Sequence, residues 1–382
     1  MRDKTWRVGV LFSETGVTGA IERTQRAATL QAIREINDDG GIGGRLIEPI
    51  CHDPASKPAQ YRELALKLCD EDRVNVVFGC HMSSTRKATL PIIEARGALL
   101  FYPTLYEGFE YSRHCIYTGA APNQNSVQLV DYLTRHYGKR VFLVGSNYVY
   151  PYESNRIIAD LFLREGGSIA DEMYVPLDLE KAHIVKIMDR IQASKPDVIY
   201  STIVGAGILP FLTAFHEAGF SAETLPTASQ STSEADFAQL PPHIAAGHIT
   251  AAPFFSTIDR PQVRDFVTKY QKANGADTFP TAPAEAAYFQ VHLFAAALKK
   301  AGSTSLNTLL PALADIEFDA PQGMVRIDPA TNHTHLWPRV AKIDVDGRYT
   351  VVYEPTERVA PDPYMLRYRP DRNTPETNLA TA

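Results

Sequence analysis

Residues 7–52 decide the fold, and their sequence is RVGVLFSETGVTGAIERTQRAATLQAIREINDDGGIGGRLIEPICH. The apolar run 8–12 predicts a buried strand, and residues 21–37 repeat their apolar side chains with the period of a helix. The glycines of segment 40–44 end that helix, and residues 46–52 predict a second strand. A strand, a helix and a strand in this order predict two parallel strands, with the helix packed on one face of the sheet.

The same alternation continues along the chain and starts again after residue 120. Two successive sets predict an α/β protein with two doubly wound lobes, each built on a parallel sheet. Near the C-terminal end the pattern changes to short strands that we expect to pair in antiparallel fashion. The further predicted helices are 59–70, 84–95, 125–137, 153–165, 182–194, 210–218, 264–274 and 284–301, and the further predicted strands are 74–79, 98–102, 140–145, 168–175, 197–202, 226–228, 323–327, 339–345 and 349–353.

The composition argues against several classes of protein. The 382 residues suffice for two domains, and 38 Lys and Arg against 44 Asp and Glu give a net charge of −6. We therefore expect no direct contact with nucleic acid, and no stretch approaches the ~18 apolar residues of a membrane span. The four cysteines have no C-x-x-C spacing, and His333 and His335 have no acidic or cysteine partner nearby in the sequence, so we expect no metal and no cofactor.

The N-terminal segment bears on the cellular compartment. It leads directly into the first strand, without the apolar core or the cleavage site of a signal peptide. This predicts a cytoplasmic protein. A periplasmic protein from which a signal peptide had been removed would have the same sequence.

Ligands of open α/β sheets bind beyond the carboxyl ends of the strands, so the loops that follow strands are the candidate site. Residues 81–86 follow a strand and open a helix, and they include the hydroxyl residues Ser83, Ser84 and Thr85. These hydroxyls, with the free N–H groups of the helix end, suit a carbonyl oxygen or an anion. The alternative is that one of them only caps the helix.

Tyrosines are the second feature of these loops. Each offers a flat apolar wall and a hydroxyl that both donates and accepts, which suits a neutral ligand with a carbonyl and an NH₂ group. The alternative is that they pack in the core or between the lobes. The tyrosines are Tyr102, Tyr106, Tyr148, Tyr150 and Tyr152.

A third polar loop, residues 229–236, leaves two interpretations open. Thr232 or Ser233 caps the next helix, with Glu234 and Asp236 near its positive end. Alternatively, one of the two carboxylates reaches the ligand and binds an ammonium group.

No catalytic signature is present in the sequence, whether G-x-S-x-G, H-E-x-x-H or a phosphate-binding loop. This favours a binding protein over an enzyme. The competing hypothesis is an amide hydrolase that uses Cys80 or Ser83, which would need a base beside the nucleophile. His81 is adjacent in sequence, and adjacent residues rarely present both groups to one substrate.

Seven segments together resemble the amide receptors of amidase operons, a branch of the type I periplasmic-binding-protein superfamily that also holds urea and branched-chain amino-acid receptors. The resemblance extends from about residue 7 to about residue 365. Tyr-Pro-Thr-Leu-Tyr-Glu-Gly at 102–108 and Tyr-Val-Tyr-Pro-Tyr-Glu-Ser-Asn at 148–155 are specific to the amide and urea branch. The segments are 9–16, 40–45, 79–87, 102–111, 121–125, 148–155 and 319–323.

The resemblance implies two lobes joined by three crossings of the chain, which close like a hinge around the ligand. The implied lobes are residues 6–121 with 254–322, and residues 122–253 with 323–365, followed by a tail, 366–382. It also implies a short-chain aliphatic amide as ligand, and an RNA-binding antitermination protein as partner in controlling an amidase-type operon. The alternative is a receptor for urea or a small amino acid that feeds an ABC transporter. A homo-oligomer is compatible with either.

The positions that match the amide receptors' ligand-binding residues are Ser83, Tyr102, Thr104, Tyr148 and Tyr150. Two further candidates depart from the pattern of that branch, since His81 replaces a tyrosine and Leu105 replaces a proline. Val204 and Thr232, in loops after later strands, complete the candidate set.

We expect the Ser83 hydroxyl and nearby N–H groups to bind the ligand carbonyl, while the tyrosines accept from its NH₂ group. A ligand of four heavy atoms gains at most about 6 kcal/mol at ~1.5 kcal/mol per atom, a Kd of some tens of micromolar. Useful affinity therefore needs nearly complete enclosure.

Overall fold

The computed structural model describes residues 5–368, which form two α/β lobes. In the first lobe an eight-stranded sheet has the order β11-β12-β13-β5-β4-β3-β1-β2. Its elements are β1 (Thr5–Leu11), α1 (Gly19–Asp38), β2 (Leu46–His52), α2 (Pro58–Asp70), β3 (Val76–Gly79), α3 (Ser83–Ala95), β4 (Leu99–Tyr102), β5 (Cys115–Tyr117), α10 (Pro261–Asn274), α11 (Ala282–Ala301), α12 (Leu306–Leu313), β11 (Glu317–Ala320), β12 (Gly323–Asp328) and β13 (His333–His335).

The second lobe has a seven-stranded sheet of order β15-β14-β10-β9-β8-β6-β7. Its elements are α4 (Ser126–His136), β6 (Arg140–Ser146), α5 (Val149–Arg164), β7 (Ser168–Val175), α6 (Lys181–Ser194), β8 (Val198–Thr202), α7 (Ile208–Glu217), β9 (Thr227–Ser229), α8 (Glu234–Phe237), α9 (Pro242–Ala245), β10 (Ile249–Ala252), β14 (Arg339–Ile343) and β15 (Tyr349–Tyr353).

The fold class predicted from the sequence is confirmed, with one refinement. The central strands of both sheets are parallel, as strands β1 to β5 and β6 to β10 show. Each sheet also carries antiparallel strands at one edge, β11 and β12 in the first lobe and β14 and β15 in the second. The sheets are therefore mixed. In both, the antiparallel edge strands come from the C-terminal part of the sequence, after all the parallel strands β1 to β10.

Helices cover both faces of the first sheet, which explains why its central strands are continuous apolar runs. α1 packs against α11 on one face, and α2 packs against α3 on the other. The core includes Phe78, Phe101 and Phe294, whose ring centroids lie 5.2 to 6.0 Å apart. All three side chains are fully buried. The carboxyl ends of β3 and β4 are thereby fixed at the edge that faces the second lobe.

The third crossing between the lobes lies later than the predicted boundary at 322/323. β12 and β13 belong to the first sheet, because β12 pairs with β11 and His333 of β13 pairs in parallel with Tyr117 of β5. The chain enters the second lobe only between β13 and β14. Assigning residues 323–335 to the second lobe was therefore wrong, since local sequence marks a strand but not its partner.

The segment after β15 returns to the hinge and contacts both lobes, since Met365 packs in the core of the second lobe. Val359 bridges to Leu336, and the Asn123 side chain donates to the carbonyl of Ala360 at 2.9 Å. Pro363 accepts a hydrogen bond from the N–H of Phe109 in the first lobe. From residue 369 onward, the predicted tail lies outside the described residues. Among residues 5–368, no helix is long and apolar enough to span a membrane.

Three further differences concern local elements. α5 begins at Val149, so Tyr150 and Tyr152 lie in the first helical turn and not in the expected loop. Pro151 is compatible with that turn, because the first N–H groups of a helix need no helical partner. Six short elements were not predicted from the sequence, namely β5, β10, β11, β13, α9 and α12, which have three to eight residues each.

Candidate functional site

A cavity of about 40 Å³ lies between the two lobes. The first lobe contributes His81 and Leu105, which follow β3 and β4. The second lobe contributes Thr232 and Glu234, which follow β9. All four thus come from the carboxyl ends of parallel strands, where ligands of such sheets bind. The structure therefore brings together three of the predicted candidates, His81, Leu105 and Thr232, around one enclosed space.

The loop between β3 and α3 turns sharply at Cys80, which has a left-handed backbone with φ of 68°. α3 follows with Met82 as N-cap and without a side-chain cap. The capping interpretation of the three hydroxyls is therefore wrong. Thr85 donates to the Met82 carbonyl at 2.7 Å, and Ser83 donates to Glu107.

His81 is a neutral ring, because burial lowers its pKa to about 4. Its Nδ1 lies 2.9 Å from Oε1 of Gln25, so the proton belongs on Nδ1 and Nε2 remains an acceptor. The Tyr102 hydroxyl donates to the His81 carbonyl at 2.6 Å, which holds the backbone of this residue. Gln25 also donates to Thr104 at 3.0 Å.

Tyr102 and Thr104 lie behind the cavity and do not line it. Tyr102 has no exposed surface and packs edge-on against Tyr106 and Tyr117. Thr104 is only 4% exposed. The expectation that Tyr102 walls the ligand needs correction, because the last side chain of β4 points into the lobe. Both residues hold His81 in position.

The Ser83 side chain is hydrogen-bonded to the carboxylate of Glu107, which was not among the predicted candidates. Its hydroxyl donates to Oε2 of Glu107, and Arg86 donates to Oε1 of the same carboxylate at 3.0 Å. All three side chains are at most 4% exposed. Ser83 does not line the cavity, and its oxygen also accepts from Nη1 of Arg86 at 3.4 Å. Because its proton is used, Ser83 could only accept a hydrogen bond from a ligand that reached it, which is the reverse of the predicted role. The signal in the sequence was a glutamate in the loop after β4, next to the tyrosines.

Tyr148 and Tyr150 belong to the second lobe and lie near Glu107 of the first lobe. Tyr148 is the N-cap of α5, and its ring centroid lies 6.3 Å from that of Tyr150. Burial raises the pKa of Tyr148 well above its usual range, and the charges of Tyr150, Tyr102 and Glu107 act in the same direction. Glu107 and Tyr102 of the first lobe are therefore close enough to act electrostatically on Tyr148 across the interface between the lobes.

The Tyr150 hydroxyl lies near Ser154 and Tyr200 and outside the lining of the cavity, and within residues 5–368 it forms no hydrogen bond of good geometry. The side chain is 5% exposed, and its oxygen is buried without a hydrogen bond to any residue of the described range 5–368. Leaving a buried hydroxyl unpaired costs about 1–3 kcal/mol. A ligand that reaches this hydroxyl would remove the penalty.

Of the two acidic residues in the third loop, Glu234 lines the cavity and Asp236 does not. Asp236 accepts from the N–H and the hydroxyl of Ser233, both at 2.8 Å, and so takes part in the helix cap. Glu234 accepts from the N–H of Ser256 at 2.9 Å, and its own N–H and the Ser256 side chain are nearby. Burial raises the pKa of the Glu234 carboxyl to about 7. A cationic or N–H-rich ligand group would compensate this carboxylate.

Val204 does not line this cavity, but it lies where the lobes meet. It is 7% exposed, and its N–H donates to the Ser146 hydroxyl at 3.2 Å. The next residue, Gly205, lies against the carbonyl of Val17 in the first lobe. The loop of Val204 therefore forms a closing contact between the lobes.

The family model for the periplasmic binding protein domain matches residues 6–370. Leu/Ile/Val-binding protein homolog 6 of Brucella melitensis is 24% identical over 318 residues, 81% of this chain and 80% of that protein.

Two solved structures have the same fold. The ABC-transporter solute-binding protein of Rhodopseudomonas palustris BisB5, in complex with 3,4-dihydroxybenzoic acid, is 22% identical with a TM-score of 0.83, over 92% of this chain and 97% of that one. The branched-chain amino acid transporter substrate-binding protein of Streptococcus pneumoniae, in complex with isoleucine, is 19% identical with a TM-score of 0.79, over 93% of this chain and 100% of that one.

Proposed function

This chain belongs to the family of periplasmic binding protein domains, and we propose that it is the receptor of an ABC-type importer for urea or a small amino acid. As in that family, it binds a ligand and is not an enzyme. The ligand is enclosed between the lobes, which close around it.

The observation that carries this proposal is the Glu234 carboxylate in the cavity between the lobes. His81, which also lines the cavity, is an acceptor too, since its Nε2 has a lone pair to offer. Such a site suits a ligand that donates several N–H bonds, as the ammonium group of an amino acid or the two NH₂ groups of urea do.

The size of the cavity supports a small ligand. A water molecule needs roughly 10–15 Å³ of such space, so about 40 Å³ accepts about three water-sized groups. Urea and glycine come near this size. Isoleucine and dihydroxybenzoate, the ligands of the similar structures, would require the lobes to open further.

A short-chain amide is the second candidate. The unpartnered Tyr150 hydroxyl favours it, because that hydroxyl is a donor for a neutral carbonyl. The expected antitermination partner and cytoplasmic location have no support from relatives, since the Brucella melitensis protein is named as a Leu/Ile/Val-binding protein homolog and the two solved structures as binding proteins of transporters. We therefore propose a periplasmic receptor with a membrane importer as its partner.

A thermal-shift panel of urea, glycine, alanine, isoleucine, acetamide and 3,4-dihydroxybenzoate tests the proposal. A ligand at 100 times its Kd adds about 2.7 kcal/mol to the free energy of unfolding, which raises the Tm by several degrees. We expect urea or a small amino acid to give the largest rise. A largest rise with acetamide would support the second candidate instead, and one with isoleucine or dihydroxybenzoate would contradict both.

A further inference from the structure

A groove of about 630 Å³ lies outside the cavity between the lobes, where the loop after β4, helix α5 and the C-terminal segment meet. Ile157, Leu161 and Met365 form its apolar floor, and all three are nearly buried. No residue lining this groove also lines the cavity. The volume lies within the ~300–1,000 Å³ of small-molecule pockets.

Phe109 forms the wall that the first lobe contributes. Its backbone is left-handed with φ of 57°, held by its N–H bond of 2.9 Å to the Pro363 carbonyl. Its ring is 42% exposed and packs edge-on against Tyr364. A left-handed backbone and an exposed ring are both unfavourable for phenylalanine. A ligand that covers the ring would offset part of this cost.

The cations of the groove are not equivalent. Arg156 lies over the Phe109 ring at 5.1 Å and is paired with Glu153 and Asp160 on its own helix. Arg164 lies over the Tyr368 ring at 5.9 Å, and no carboxylate of residues 5–368 forms an ion pair with it. The groove thus combines an apolar floor, aromatic walls and one guanidinium that no carboxylate of the described range pairs with.

We propose that this groove is a second binding site, which takes an amphipathic organic anion such as a fatty-acid anion. The carboxylate pairs with Arg164, and the apolar chain lies on Ile157, Leu161 and Met365. Because Phe109 and α5 belong to different lobes, the complete groove exists only when the lobes are together. An anion bound there favours the closed form, and so is coupled to the ligand of the cavity.

Fluorescence titration of the full chain with 8-anilinonaphthalene-1-sulfonate tests the site, because that probe is an aromatic anion too large for the cavity. We expect laurate to displace it and uncharged dodecanol not to. Arg164→Gln should weaken probe binding about tenfold or more through the lost charge-assisted contact. Arg135→Gln is the matched control, since Arg135 is a helix-surface arginine, 71% exposed, on α4.

Phe109→Gly separates binding from folding. It removes the ring and also the left-handed strain, so the probe should bind at least fivefold more weakly while the urea midpoint of unfolding stays the same or rises. Equal probe affinity in the Arg164, Phe109 and Arg135 variants would overturn the proposal.

Two other occupants would also overturn it. Truncation after Tyr368 that raises probe affinity tenfold would assign the groove to the chain's own end. Concentration-dependent dimerisation, measured by sedimentation and abolished by Phe109→Gly, would assign it to a second copy. Sedimentation as a monomer and unchanged probe affinity after truncation would support the anion.

Discussion

Gly205 of the second lobe lies so close to Val17 of the first that a Cβ atom on Gly205 would approach the Val17 carbonyl oxygen to well under 3.0 Å. Gly205 follows β8 and has φ of 60°, a conformation that glycine adopts without strain. Val17 lies in the loop after β1. The two loops touch only because the lobes are together, so the contact belongs to the closed form.

Gly205→Ala should therefore weaken ligand binding by about tenfold or more. The added Cβ atom overlaps backbone in the closed form and is free of that overlap when the lobes separate, which shifts the population towards the open form. Isothermal titration with the ligand found in the panel measures the loss. Gly219→Ala is the matched control, because Gly219 also has positive φ but a Cβ atom added there would meet no other atom within 4 Å. Equal affinities in the two variants would contradict a closing contact at Gly205.

Glu234→Gln should separate the candidate ligands. Loss of the buried charge partner should weaken an amino acid by about 100-fold, whereas urea or an amide should lose less than tenfold. Titration calorimetry at pH 8, above the Glu234 pKa of about 7, measures both. Asp236→Asn is the control, since Asp236 interacts with Ser233 and not with the cavity. A stronger effect of Asp236→Asn on any ligand would exclude Glu234 as the ammonium partner.

Ser83→Ala should raise the Kd about 5- to 30-fold, which corresponds to about 1–2 kcal/mol for a buried hydrogen bond. The variant removes the acceptor that we propose for the ligand, and it removes the hydrogen bond to Glu107. Ser84→Ala in the same helical turn serves as control, with an expected change of less than twofold. If calorimetry gives the same Kd for both variants, Ser83 does not contact the ligand.

Tyr150→Phe should lower ligand affinity about tenfold without destabilising the unliganded protein. The reason is that the Tyr150 hydroxyl, although near Ser154 and Tyr200, forms no hydrogen bond of good geometry within residues 5–368, so its removal relieves a poorly paired buried group. Tyr200→Phe, by contrast, should destabilise the unliganded protein. It should lower the free energy of unfolding, because the Tyr200 hydroxyl is hydrogen-bonded to Ser154 at 2.7 Å. Urea unfolding and titration calorimetry on both variants distinguish the two cases. A loss of stability in Tyr150→Phe would show that its hydroxyl has a structural role.

Glu285 should make stability fall as the pH rises. Burial raises its pKa to about 8, against 4.5 for an ordinary glutamate, so the folded state holds a proton that the unfolded state has released between these values. Within this window the group lowers the unfolding free energy by up to about 1.4 kcal/mol per pH unit, and the full contribution is present only below pH 4.5.

Glu285→Gln should flatten this dependence, measured by urea unfolding from pH 5 to 9. Glu48→Gln, on the exposed edge strand β2, should leave the slope unchanged. An unchanged slope in Glu285→Gln would mean that the carboxyl is already ionised in the folded protein, stabilised there by Arg339.

The alternation of strands and helices was predictable because each element imposes its own period on the sequence. The same pattern located the loop at Ser83 and the loop at Thr232, since both follow apolar strands. What the local pattern could not give was the partner of a strand. β13 has three residues and pairs with β5, more than 200 positions earlier, which is why the third crossing was misplaced.

The sequence by itself determined two α/β lobes and the loops that carry the site, because backbone hydrogen bonding and burial fix the periods of strands and helices locally. Only the tertiary structure decided what each side chain does there. Tyr102 points inwards, the Ser83 proton goes to Glu107 across 24 positions, and Glu234 and not Asp236 lines the cavity. These outcomes depend on how separate elements pack, and a contact between distant residues leaves no period in the chain that joins them.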